Sequence, residues 1–115
     1  MSEDCLFCKI IRGEIPSSMV YEDESAYAFR DIDPQAPVHV LVVPREHIAR
    51  VADAGEAHES MLGHLLWVAA EIARREGVEE DGYRLAVNCG KHGGQAVEHL
   101  HVHLLGGRQM GWPPG

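Results

Sequence analysis

The spacing of apolar residues changes from stretch to stretch along this chain, and each change marks an element. In CLFCKIIRGEIPSS, Leu6, Phe7, Ile10 and Ile11 form a short helical stripe, ended by Gly13 and Pro16. MVYEDE and AYAFRDI read as two strands joined by the acidic turn Glu22–Ser25. Asp31, Asp33 and Pro34 break the chain before VHVLVVP, residues 38–44, its strongest β-branched run. From Glu56 to Glu76, Met61, Leu62, Leu65, Leu66, Ala69, Ile72 and Ala73 return every three or four positions. That is the stripe of one long amphipathic helix, stopped by Gly77. YRLAVN, residues 83–88, is a further strand, and the loop CGKHGGQAVE leads into EHLHVHLLGG, residues 98–107, which alternates strictly. Strands and a single long helix do not interleave as βαβ units, so the predicted fold is α+β around an antiparallel sheet.

Composition narrows the classes of function. A length of 115 residues with 45% hydrophobic content suits a single domain over residues 1–115. No run approaches a membrane span, and the acidic start MSED is not a signal peptide, so the expected location is cytoplasmic. A net charge of -8 argues against a nucleic-acid polymer as partner, which needs a basic stripe, but leaves room for a small nucleotide. Three cysteines do not suggest a disulfide framework. The tail GGRQMGWPPG is too rich in Gly and Pro for regular structure, and Trp112 within it is expected to dock on something.

Candidate chemistry concentrates in the alternating strand. His99, His101 and His103 should emerge on one face, with Leu100, Val102 and Leu104 on the other. At about 3.3 Å of rise per residue, successive rings lie roughly 6.6 Å apart, a row that spans a phosphate and its neighbours. A neutral imidazole attacks phosphorus when one nitrogen is free and the other is held by a hydrogen bond. Zinc ligation and a pH-sensitive interface are the alternatives. Gly90, Gly93 and Gly94 directly precede the row and offer backbone amides to an anion. Asp31, at a strand end, is a candidate acceptor for ribose hydroxyls. Cys5 and Cys8 read either as a redox pair or as two helix-start thiols, and Cys89 as a loop thiol. His58 and His64 read as surface or packing residues.

His99-Leu100-His101-Val102-His103-Leu104-Leu105 resembles the signature of the histidine triad superfamily. FCKIIRGEIPS, FRDIDPQAPVHVLVVPREHI, GYRLAVNCGKHGGQAV and LLGGRQMGWPPG resemble its nucleotide-binding (Hint) branch, over nearly the whole chain. The resemblance implies a five-stranded antiparallel sheet with one long and one short helix, pairing into a ten-stranded sheet in a homodimer. It also implies hydrolysis of purine nucleoside phosphoramidates or acyl-nucleotidylates, releasing the AMP or GMP moiety. Diadenosine polyphosphate hydrolysis, or a zinc-stabilised nucleotide sensor without useful catalysis, are the rival activities.

Carried over residue by residue, the resemblance makes His101 the nucleophile, assisted by His103 and His39, with His99 holding it partly through its carbonyl. Asp31 and Ile32 match ribose-binding positions, Phe7 and Ile15 the base pocket, and Asn88, Gly94, Gln95 and Ala96 the phosphate loop. A structural zinc on Cys5, Cys8, His47 and His99 is implied in the same way, with no cofactor needed for catalysis. Ala96 stands where relatives often have serine, Glu98 where an aromatic is frequent, and Gly111 where histidine is common.

Overall fold

The computed structural model describes residues 4–115; the first three residues of the acidic start lie outside the described residues. Helix α1 spans Leu6–Ile11, as the short stripe predicts, and the Cys8 amide donates to the Cys5 sulfur at its N-cap. Strands β1 (Met19–Glu22), β2 (Ala26–Arg30) and β3 (Val38–Pro44) follow. Two single 3-10 turns, Val51–Asp53 and Glu56–His58, lead into helix α2 (Glu59–Arg75), then β4 (Tyr83–Ala86), the one-turn helix α3 (Gly90–Gly93) and β5 (Val102–Gly106). The strands form one sheet in the order β1-β2-β3-β5-β4, every neighbour antiparallel. The α+β expectation holds, with one long helix and short companions.

The sheet is covered on both sides, which explains why the run 38–44 is so uniformly apolar. Ala26, Ala28, Val40, Val42, Val102 and Leu104 pack against Leu65, Val68, Ala69, Ile72 and Ala73 of α2. The intervening residues Tyr27, Phe29, Leu41 and Val43 pack against Phe7, Cys8 and Ile10 of α1. Each large aliphatic withdrawn from water in this way contributes about 1.5–3 kcal/mol.

Several boundaries differ from the sequence reading for local reasons. Strand β1 stops at Glu22 because the Asp23 carboxylate accepts the Ser25 and Ala26 amides at 2.9 and 2.8 Å and turns the chain. The same carboxylate takes the Tyr21 hydroxyl and His64 Nε2, and Trp67 stacks on the His64 ring, so this histidine pins the hairpin to α2. Strand β4 ends at Ala86 rather than residue 88, where its pairing with His103 finishes. Strand β5 begins only at Val102. His99 and His101 lie in its extended approach, where the Leu100 amide donates to the Ile48 carbonyl at 2.7 Å. Trp112 is 83% exposed and does not dock on its own chain. Among the described residues no helix is long and apolar enough to cross a membrane.

Candidate functional site

The histidine row does not face water. Helix α1 covers it: Phe7 meets the rings of His99 and His101 edge-on, with centroids 5.9 and 5.1 Å apart. Burial makes the imidazolium form costly, and the hydrogen-bond partners then decide which nitrogen carries the single proton. His101 Nδ1 lies 2.7 Å from the His99 carbonyl, which only accepts, so Nδ1 bears the proton and Nε2 presents its lone pair. Burial holds the His101 pKa below its ordinary value, against the raising influence of that hydrogen bond and of Asp31.

The opposite tautomer reaches His103 through a relay that starts on the main chain. The Gln35 amide donates to His39 Nδ1 at 3.0 Å, leaving the His39 proton on Nε2. His39 Nε2 then donates to His103 Nδ1 at 3.0 Å, with Asp31 Oδ2 at 3.5 Å beside it. His103 therefore keeps its proton on Nε2, as a neutral donor. Burial, with the adjacent His101 and His39 rings, pushes its pKa down to about 4, and burial also lowers His39. Two neighbouring rings, 4.9 Å apart, thus present a lone pair and an N–H.

Both rings border a cavity of about 350 Å³. Phe7, Ile10, Ile15, Phe29 and Leu41 form its apolar end, while Asp31, Asn88, Gly94, Ala96, His101 and His103 line the rest. Gly94 closes α3 at φ +74°, a left-handed conformation that side chains disfavour and that turns the loop toward the cavity. Of the residues singled out in the sequence, Ile32 sits on the lip with its side chain 99% exposed. His39 lies behind His103, not on the cavity wall.

Gln95, matched to the phosphate loop, spends its side-chain amide on the backbone around that loop. Its Oε1 accepts from the Gly90 amide and its Nε2 donates to the Ala49 and Val97 carbonyls, at 2.7–3.0 Å. The side chain braces the loop from behind. Leu6, Ile10, Phe29 and Leu41 also line the cavity, beyond the residues the sequence assigns to the site, although the alternation of β2 and β3 already puts Phe29 and Leu41 on the His39 face. The Gln35 amide left no signal in the sequence.

His99 faces the other way. Its Nε2 donates to the Pro44 carbonyl at 2.8 Å, so Nδ1 carries the lone pair and points at two thiols, 3.3 Å from Cys5 Sγ and 3.6 Å from Cys8 Sγ. His47 Nδ1 lies 3.4 Å from Cys8 Sγ, and all four donor atoms fall within 4.8 Å of one another. A tetrahedral zinc with bonds of about 2.3 Å to sulfur and 2.0–2.1 Å to nitrogen requires S···N edges of about 3.6 Å. The donor set fits such an ion in chemistry and in spacing. An outer cavity lined by Asp4, Cys5, His47 and Glu98 gives access to it. Burial and the neighbouring Cys5 push the Cys8 thiol up to about 11, so Cys8 keeps its proton until a cation draws it off.

A two-sided antiparallel sheet with a covered row of imidazoles defines the architectural class, an α+β fold built around a histidine triad. The HIT domain pattern matches residues 12–110, and the chain belongs to the HIT domain family. It is 55% identical over 111 residues to a purine nucleoside phosphoramidase of Escherichia coli (strain K12), spanning 96% of this chain and 93% of that one. It is 56% identical to a 14 kDa zinc-binding protein of Zea mays, spanning 96% and 87% of the two chains. Among solved structures, a HIT family hydrolase from Legionella pneumophila Philadelphia 1 superposes with a TM-score of 0.95 at 53% identity, spanning 97% of this chain and all of that one.

Proposed function

We propose that this protein is a nucleotide-binding hydrolase that converts purine nucleoside phosphoramidates or acyl-nucleotidylates to the nucleoside monophosphate. The observation that carries the reading is the His101 ring, which lines the cavity with Nδ1 tied to the His99 carbonyl and the Nε2 lone pair left free of that bond. His101 Nε2 attacks the α-phosphorus. For a phosphoramidate, the P–N bond breaks, its electron pair leaves with nitrogen, and that nitrogen takes a proton from solvent. Water then adds to the nucleotidyl-histidine, the phosphorus–Nε2 bond breaks, and the monophosphate departs. His103 Nε2–H donates to a non-bridging oxygen as charge develops. Asp31 receives the ribose hydroxyls, and the apolar end beside Phe7 and Phe29 receives the purine. The similarity to a named phosphoramidase supports the choice of bond.

The four-donor cluster is read as a structural zinc site: Cys5, Cys8, His47 and His99 would hold the ion, which cross-links α1 to the sheet. A homodimer is the expected assembly. It is supported by the free edge of β4 and by the apolar groove where Val51, Leu62, Leu66 and Val87 meet beside it. Within this reading the chain acts as one cytoplasmic domain.

The test is a rapid acid-free quench of enzyme with adenosine 5'-phosphoramidate, followed by peptide mass spectrometry. A nucleotide adduct on His101 is the expected result. An adduct elsewhere, or turnover retained by His101→Ala, overturns the assignment. Tight nucleotide binding with no product formed over hours favours the sensor reading.

A further inference from the structure

His99 belongs to both clusters at once, and this makes them one device. Its imidazole is completely buried and held at both nitrogens, by the Pro44 carbonyl on one side and by the cysteine sulfurs on the other. Its carbonyl, on the same residue, accepts the proton that sets the tautomer of His101. A ring this completely buried has no free space in which to turn, so loss of its sulfur-side partner is relieved by a shift of the whole residue, which carries the carbonyl that holds His101. Phe7 provides a second link, because it sits between Cys5 and Cys8 on α1 and packs edge-on against the His101 ring.

We propose that Cys5, Cys8 and His47 are positioning residues for the reaction at His101, acting through the metal-bound ring and the backbone carbonyl of His99. The inference rests on the hydrolase reading above and goes beyond it. Metal at this cluster sets the geometry of the nucleophile as well as holding the fold together. A ring that drifts by an ångström from its line of attack loses rate on the order of 100-fold, so occupancy of the cluster appears in kcat. His47 contributes although it touches neither the cavity nor His101, since its Nδ1 and the Cys8 sulfur complete the set that holds His99.

The experiment compares metal-free and metal-loaded full-length protein, prepared under reducing conditions with Co²⁺ or Zn²⁺ as the only added ion. Thiolate-to-cobalt charge-transfer absorption reports loading. The ring Nδ1–H signal of His101, assigned by ¹⁵N-labelled NMR, reports the hydrogen bond to His99, and steady-state kinetics report kcat per folded molecule. Removing the metal is expected to expose that ring proton to rapid solvent exchange and to lower kcat by about 10- to 100-fold. His64→Ala, which loosens the distant hairpin anchor, is expected to lower thermal stability while leaving both readouts unchanged.

Either readout staying within about twofold of the loaded protein overturns the proposal, because a purely structural ion moves neither in folded molecules. Absence of the cobalt band overturns it as well. Should the metal-free chain unfold, His47→Gln, which keeps both thiols and His99, carries the same two readouts. If the loaded wild-type protein turns over no phosphoramidate, the hydrolase reading fails, and the ring-proton signal alone decides whether the clusters are coupled.

Discussion

The two ends of the histidine row gather similar donors and use them in opposite ways. At one end Cys5, Cys8, His47 and His99 bring four donor atoms within 4.8 Å; at the other, Asp31, His39 and His103 do the same with three. Proximity alone does not distinguish them, but direction does. In the first group the lone pairs face a common centre, because the Pro44 carbonyl has already claimed the far nitrogen of His99. In the second the nitrogens are spent on one another, in a line from the Gln35 amide through His39 to His103. The first arrangement suits an ion, and the second delivers a proton of fixed position to the cavity. His101 stands between them and takes its own tautomer from the first.

The comparison breaks most visibly at its midpoint. His101→Ala is expected to reduce turnover by about a thousandfold or more while mononucleotide affinity, measured by calorimetry, changes little. Cutting the relay at His39 should cost less. His39→Gln frees His103 to adopt the wrong tautomer, and kcat is expected to fall by about 10- to 100-fold with KM nearly constant, since one transition-state donor is misdirected.

At the cysteine end, chelation is expected to act on stability. Loss of a ligand held far above its dissociation constant removes about 3–4 kcal/mol, which scanning calorimetry would register as a fall in Tm of roughly ten degrees or more.

The smallest effect is acid sensitivity. His103 titrates near 4 when folded and at the ordinary 6.5 when unfolded. Below pH 6.5 the unfolded chain therefore binds the extra proton first, and stability declines as pH falls from 6.5 toward 4. Above that range this group contributes no pH dependence. The loss attributable to it is on the order of 1–3 kcal/mol, and chemical denaturation at stepped pH would measure it. A His103→Asn variant should flatten that slope.

Alternation and helical spacing were enough to read the strands, the long helix and the sides of β5, because each follows from which face is withdrawn from water. The cover over the histidine row was not legible in the same way. Nothing in the order of residues says that α1 folds across the sheet face opposite α2, and that contact is what dries the rings. The site residues divide along the same line. Phe7, Asp31, His101 and His103 carry their chemistry in their identity and position. The roles of Gln35 and Gln95 depend on long-range meetings of main chain, such as Gln95 with Ala49, that no local pattern announces. The four-donor cluster became legible only through resemblance, since Cys8 and His47 are thirty-nine positions apart.

The Gln95 amide stitches the glycine turn at three points before any guest arrives. A mouth stitched in that way has little freedom left to surrender, so capture of an anionic guest should run close to its encounter rate and selectivity should show in how long each guest stays.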